Sequence, residues 1–302
     1  MPAEIRPLAT RDVGAAADVL FVAAYERALG ARRTPAFDAP EAARRFVQRL
    51  LEVDPMTAQV AEDDGAVVGV AWTHPRGRVA TVGPLAVLPA ARGRGVGRTL
   101  LDASLRALGE RGVQVRLLED AADRAAVGLA LRAGFRVVAP VLELERSLTL
   151  GAEPVSLPAG VAVRALGPSH EADLVARDTR AWGAPRPQDV AALLAHGAGG
   201  VLERRDRVLA HALAVAGDHA VVLGPAADDD GTQVALLLAH LAASAARELQ
   251  RPARVLAPAG DRRLVDALLA WGFRLHAVLV YLVHGGGTAP PAGSTLCSRW
   301  MA

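Results

Sequence analysis

Val82-Gly83-Pro84-Leu85-Ala86-Val87-Leu88-Pro89-Ala90-Ala91-Arg92-Gly93-Arg94-Gly95-Val96-Gly97-Arg98-Thr99-Leu100-Leu101-Asp102-Ala103-Ser104-Leu105 is the stretch that decides the fold. An apolar run of strand length stops at Pro89. A loop with glycine at every second position follows, flanked by Arg92, Arg94 and Arg98. Val96, Leu100, Leu101 and Leu105 then recur at helical spacing. A strand that feeds a helix through such a loop aims several unpaired backbone N–H groups, and the positive end of the helix dipole, at one point. That point suits an anion. Gly93, Gly95 and Gly97 let backbone approach it without a Cβ in the way, and the arginines add charge-assisted hydrogen bonds.

Two familiar anion loops are excluded. A phosphate loop needs G-x-x-x-x-G-K-[ST], and the chain contains no lysine. The dinucleotide fingerprint needs G-x-G-x-x-G, but counting from Gly93 the sixth position is Arg98. Arg92-Gly93-Arg94-Gly95-Val96-Gly97 instead resembles the acetyl-CoA motif R/Q-x-x-G-x-G/A of the GNAT superfamily of N-acetyltransferases, with Leu85-Ala86-Val87 and Pro89 standing before it as in that family.

Outward from this stretch the expected order is a strand at 4–8, helices at 10–30 and 39–53, strands at 57–62, 67–74 and 79–87, a helix at 99–109, a strand at 113–119, a helix at 123–133 and a strand at 137–148. That order is similar to a complete GNAT domain, and Ala133-Gly134-Phe135 resembles the family's helix–Gly–Phe close. After a Pro- and Gly-bearing linker at 151–160 the pattern restarts. Val163-Arg164-Ala165-Leu166 echoes Ile5-Arg6-Pro7-Leu8, Leu223-Gly224-Pro225 echoes Val82-Gly83-Pro84, and Trp271-Gly272-Phe273 echoes Ala133-Gly134-Phe135. The offsets, 224 − 83 = 141 and 272 − 134 = 138, describe one repeated domain. The expected fold is therefore α/β (α+β): two tandem GNAT-like domains, each a mixed, mostly antiparallel twisted sheet flanked by helices. The boundaries are 1–150 for a cofactor-binding domain, 151–160 for a linker and 161–302 for a degenerate repeat. In the second repeat Asp228-Asp229-Asp230-Gly231 stands where the first has its anion loop, and three carboxylates would repel a pyrophosphate. Residues 295–301 read as a last short strand.

Composition sets the remaining bounds. Of 302 residues 52% are hydrophobic and only 4% aromatic, so sizeable cores must be built from Ala, Val and Leu. A net charge of +2 argues against a nucleic-acid partner. The absence of lysine excludes a lysine Schiff base. One cysteine, Cys297, allows no internal disulfide. With no signal-peptide pattern and no apolar run of membrane-spanning length, the expectation is a cytoplasmic protein away from membranes, monomeric or homodimeric. Histidines lack metal-ligand spacing, so no metal is expected.

The resemblance implies acetyl-CoA as cosubstrate and a primary amine, of a small molecule, as acceptor. It implies cofactor contacts from Leu85, Ala86, Val87, Arg92, Gly93, Arg94, Gly95, Val96, Gly97, Arg98, Thr99 and Asp123, the last standing where the family often has Asn. By position the Leu85 N–H would face the thioester oxygen and Val87 would bond the pantetheine, with Gly83-Pro84 kinking the strand to open the sheet. The family's usual tyrosine acid is absent, because its position holds Ala130. Glu26, His74, and Glu119 or Asp120 are the candidate proton-handling residues, with a water chain as the alternative to them all. The rival reading is an acyl-CoA-binding regulatory module with little turnover. Tyr25 and Trp72 read as core or pocket wall, and Trp182 as part of a loop that could cap the acceptor site.

Overall fold

The computed structural model describes residues 3–31, 33–109, 113–148, 155–205, 207–228, 232–287, 289–290 and 293–296. Asp229, Asp230, Gly231, Cys297 and the rest of the expected strand at 295–301 lie outside them, as do 151–154 of the linker. Contacts divide the chain into two compact units: one of Met1–Leu117, Ala122–Arg136 and Val283–Gly287, the other of Leu118–Ala121, Val137–Leu282 and Thr288–Ala302.

The first unit is a sheet of β1 (Glu4–Pro7), β2 (Ala58–Asp63), β3 (Ala66–Arg76), β4 (Val79–Val87) and the start of β5 (Gln114–Asp120), in that order. Neighbours are antiparallel except β4 and β5, which are parallel. Its helices are α1 (Val13–Gly30), α2 (Pro40–Val53), α3 (Val96–Leu108) and α4 (Arg124–Arg132). The two-residue alternation of strands sorts the core. Ala61 and Ala71 pack against Val96 and Leu100 of α3, while the alternate residues Val60, Val70 and Trp72, also buried, point to the opposite face. The helix expected at 99–109 starts three residues sooner. Gly95 at φ 84° ends the loop, and Val96 and Gly97 already belong to the first turn.

The second unit has the strand order β12 (Arg274–His284), β6 (Arg136–Arg146), β11 (Ala253–Pro258), β10 (Val221–Asp228), β9 (Arg207–Ala216), β8 (Ala198–Arg204), β7 (Val161–Ala165), with β13 (Ser294–Thr295) on β10. Helices α5 (Glu171–Trp182), α6 (Pro187–His196), α7 (Gln233–Glu248) and α8 (Arg262–Ala270) accompany it. Within this unit β6, which follows the first Gly-Phe close in sequence, pairs over its second half with β11, from Val141↔Pro258 to Arg146↔Ala253. Its Leu144 joins Leu202, Leu223, Leu237, Val255 and Phe273 in one core. Val155 and Leu157, from the stretch read as linker, pack on the same core. Trp182 is the buried last residue of α5, under the Arg186 guanidinium at 4.9 Å from the ring centroid. Among the described residues no helix is long and apolar enough to cross a membrane.

The family-like order of strands and helices is thus present in each half, including α6, β8 and β9, which no motif marked. His211 on β9 is 1% exposed, and neither of its ring nitrogens has a hydrogen-bond partner among the described residues. Burial is the main cause that pushes its pKa down to about 4, against partial relief from Asp178. An unfolded imidazole titrates near 6.5. Between those values the unfolded chain binds a proton that the folded one does not, so stability falls as pH falls. Urea unfolding should show wild type losing roughly 3 kcal/mol relative to His211→Leu between pH 7 and pH 4. Parallel pH profiles for the two proteins would contradict this.

Candidate functional site

Two breaks in pairing shape the site. On one side, β4 runs beside β5 only from Val79↔Gln114 to Thr81↔Arg116. Beyond Thr81 it has no strand partner on that side among the described residues. On the other side, the β3 pairing shifts register: Thr73 faces Val82 and Ala71 faces Leu85, so Gly83 and Pro84 together oppose Trp72. This is a β-bulge at the expected kink, and the Gly83–Pro84 peptide is cis.

After the bulge the ladder fixes which backbone groups face outward. Leu88 N–H donates to Val68 O at 2.9 Å. In an antiparallel ladder bonded pairs alternate, so Ala86 bonds Val70, whereas the N–H and C=O groups of Leu85 and Val87 point away from β3. They point to the unpartnered edge. The Val87 carbonyl accepts from Arg92 Nε at 3.1 Å; the register leaves the Leu85 and Val87 N–H groups for something strand-like.

The strand then enters the loop. Gly93 and Gly95 have φ of 75° and 84°, a region closed to most residues, although an added Cβ would meet nothing within 4 Å. Backbone conformation, not crowding, demands glycine there. Gly95 is the N-cap of α3 and offers no side chain to the first-turn N–H groups. The three arginines ring this opening. Arg92 pairs with Glu26, Arg94 with Asp63 at 2.8 Å, and Arg98 with Asp102 at 2.7 Å while also donating to Arg132 O at 2.8 Å. All three are about half exposed, at 45%, 50% and 46% of the side chain. Such surface pairs are weak enough to exchange for a more highly charged partner.

The remaining candidates separate. Glu26 stands on α1 beside Arg92 at the loop. Thr99 is exposed in the first turn of α3 and bonds Gly95 O through its hydroxyl at 3.2 Å. Asp123 caps α4, its Oδ1 accepting from Ala126 N at 3.0 Å. Glu119 is a half-buried residue of β5 and belongs to the second unit. His74 is buried, with Nδ1 2.6 Å from Asp54 Oδ2 and Nε2 2.7 Å from Gly83 O. Both partners are acceptors, so the ring has no free lone pair to offer an amine in this arrangement. Its partner Asp54 carried no sequence signal, lying in the turn after α2.

These features, a bulged strand parting from its neighbour and feeding a glycine loop at a helix N-terminus, coincide with a family match. Residues 22–135 match the acetyltransferase (GNAT) family. The first half carries a GNAT domain. A mycothiol acetyltransferase of Actinosynnema mirum is 40% identical over 96 residues, 32% of this chain and 32% of that protein. The match therefore spans about a third of the curated relative's length. Across nearly the whole chain the fold is that of a GCN5-related N-acetyltransferase from Sphaerobacter thermophilus, at TM-score 0.69 and 18% identity over 96% of each chain. It is also that of a tandem GNAT protein from the clavulanic acid biosynthesis pathway, at TM-score 0.68 and 18% identity, covering 95% of this chain and 99% of that one.

The second GNAT-like repeat supplies an internal comparison. Adding 141 to Gly83, Leu85 and Val87 gives Gly224, Ala226 and Asp228, and β10 carries the same bulge, between Leu223 and Ala226. Here too the strand parts from its parallel neighbour, pairing with β11 only from Val221 to Leu223. The gap is filled by the chain itself. Ser294 and Thr295 pair with Ala227 and Ala226, and Leu296 bridges to Leu256 on β11. Asp228 N–H donates to Gly293 O at 3.1 Å, and Gly293 N–H donates to Asp261 Oδ2 at 2.6 Å. Asp261 is the N-cap of α8, as Asp123 is of α4 (261 − 123 = 138). The N-terminus of α7 is likewise served from within, Val234 N–H donating to the Asp228 carboxylate at 2.8 Å.

An anion site at the first-half loop predicts that Gly95→Asp and Arg92→Glu each weaken coenzyme A binding by about tenfold or more, equivalent to about 1.4 kcal/mol. Far-ultraviolet circular dichroism should stay unchanged. Calorimetry giving wild-type affinity in both variants would remove the site.

Proposed function

We propose that the protein is an acetyl-CoA-dependent N-acetyltransferase acting on a primary amine of a small molecule. The cofactor-binding domain is residues 1–150, and the repeat at 161–302 has lost the cofactor. The observation that carries this reading is the chain segment in the second repeat. An extended backbone fills the parted edge there, bonding the N–H of Asp228 and the second oxygen of the capping aspartate. In the first half the same edge, Leu85 to Val87, and the same cap, Asp123, await an occupant of the same shape. A pantetheine arm is such an occupant: extended, with amides that donate and accept like a strand. Val87 N–H would donate to one of its carbonyls and the Asp123 carboxylate would accept from an amide. The diphosphate would then reach the N–H groups of Gly93 to Arg98, with Arg92, Arg94 and Arg98 exchanging their carboxylates for it.

On this reading the Leu85 N–H lies where negative charge develops on the thioester oxygen as a neutral amine attacks the carbonyl carbon. The new C–N bond forms, the C–S bond breaks, and the thiolate takes a proton while the amine loses one. Glu26 and Glu119 are the side chains left for that proton traffic, with water as the alternative. Ala130, buried where the family's acid often stands, supplies nothing. The likeness to mycothiol acetyltransferases favours a small-molecule acceptor over a protein.

Thiol release from acetyl-CoA, measured against a panel of amino acids, amino sugars, aminated antibiotics and peptide N-termini, tests the activity. Turnover with a small amine is expected. Saturable binding without turnover on any amine would favour a regulatory acyl-CoA-binding module instead. The intact chain should saturate at one equivalent of acetyl-CoA; two equivalents would overturn the asymmetric assignment. If one side chain is the base, Glu26→Gln or Glu119→Gln lowers kcat by about 100-fold, and near-normal rates in both across pH 6 to 9 assign the step to water.

A further inference from the structure

The first unit holds a buried ionic cluster that the chemistry above does not use. Asp54 receives both Arg76 Nη atoms, at 2.9 and 2.8 Å, and His74 Nδ1 at 2.6 Å; the other imidazole nitrogen reaches Gly83 O at 2.7 Å. The three residues are 7%, 3% and 3% exposed. Burying charge this deeply is costly unless every partner is met, so such a cluster calls for a purpose. Its bond from His74 Nε2 ends on the bulge.

We propose that His74, backed by Asp54 and Arg76, is a positioning residue that holds the Gly83 bulge and so decides which amides of β4 face the cofactor. The proposal rests on the reading of the Leu85–Val87 edge as the pantetheine site. Its logic is parity. Successive residues of a strand turn their N–H groups to opposite sides, and a bulge adds one residue to one strand only. With Gly83 and Pro84 both set against Trp72, Leu85 and Val87 present their N–H groups to the open edge. Without the extra residue the same strand would turn Leu85 and Val87 to β3 and Ala86 outward, a one-residue slip that reverses every assignment. Something must therefore hold the Gly83 carbonyl out of the β3 ladder, and His74 donates to it.

Charge supports the geometry. Burial alone would raise the Asp54 pKa, but the hydrogen bonds from His74 and Arg76 outweigh it and hold the carboxyl below its usual range. An ionised carboxylate and a peptide carbonyl both only accept, so a proton on each imidazole nitrogen satisfies both. The second repeat gives the contrast. The position matching His74 is Val215 (74 + 141), whose side chain has no donor to offer Gly224. There the bulge is braced by the segment that fills the gap, so close that a Cβ on Gly224 would lie 2.5 Å from Leu296 O and 2.9 Å from Thr295 Oγ1. One bulge is held by an occupant. The other, which must stay open for a ligand, is held from behind.

The test compares, between wild type and variant, acetyl-CoA with adenosine 3′,5′-bisphosphate, which keeps the nucleotide and its 5′-phosphate and lacks the second loop phosphate and the pantetheine arm. In His74→Leu, calorimetry should show acetyl-CoA weakened about tenfold or more and the bisphosphate unchanged within about twofold. His74→Gln, which keeps a donor, should recover part of the loss, and kcat should fall further than KM rises because the Leu85 N–H is misdirected. Equal weakening of both ligands in a folded His74→Leu overturns the proposal, as does wild-type preference for acetyl-CoA in that variant. If His74→Leu does not fold, Asp54→Asn is read by the same ligand pair. In wild type, nitrogen-15 spectra should show the His74 Nε2 proton coupled across a hydrogen bond to the Gly83 carbonyl; an uncoupled, fast-exchanging Nε2 proton overturns the clamp on its own. A wild-type protein that binds acetyl-CoA no better than the bisphosphate overturns the pantetheine reading, and the clamp with it. A discriminating wild type with a discriminating variant overturns the clamp alone.

Discussion

The parting of β4 from β5 after Thr81 is the constraint on which the rest of the site depends. Backbone N–H and C=O groups near a protein interior must be satisfied, and a strand that leaves its neighbour exposes a row of them. The Gly83 bulge then fixes that Leu85 and Val87, and not Ala86, supply that row. Everything downstream follows in register: the strand end at Val87, the glycine turn at 93–95 and the uncapped first turn of α3 form one continuous line of donors.

Each repeat meets this constraint in its own way. In the second, the chain's own residues 293–296 complete the ladder, and the Asp228 carboxylate serves the helix N-terminus. Among the described residues the parted edge is already paired, and acid at residue 228 in place of Val87 acts by more than charge, since its carboxylate accepts the Val234 N–H at the helix end. In the first, glycines and half-exposed arginines keep the same two features accessible. Duplication followed by internal occupation of one copy accounts for both.

Much of this was legible in sequence, because it rests on local rules. Residues 82–105 carry a strand, a breaker, a glycine-rich turn and a helical period in one contiguous run, and the spacing of the repeats needs only counting. The roles of single residues were less legible. His74 read as a candidate base because a histidine at a strand end looks available, and nothing local reveals that Asp54, twenty residues away, and Gly83, nine residues on, occupy both its nitrogens. Glu26 likewise read as a possible base with no sign that it sits against Arg92.

The sequence by itself determined the class of fold, the duplication and the glycine loop between strand and helix, since periodicity, turn chemistry and glycine at positive φ act over a few neighbouring residues. Only the tertiary structure decided where closing strands go and what fills an edge. That β6 lies between β12 and β11, and that Ser294 and Thr295 enter the gap beside β10, depends on hydrogen bonds between segments far apart in the chain. Any strand of suitable length and apolarity satisfies such a ladder equally well. The choice among them is made by the packing of whole units, which no local pattern encodes.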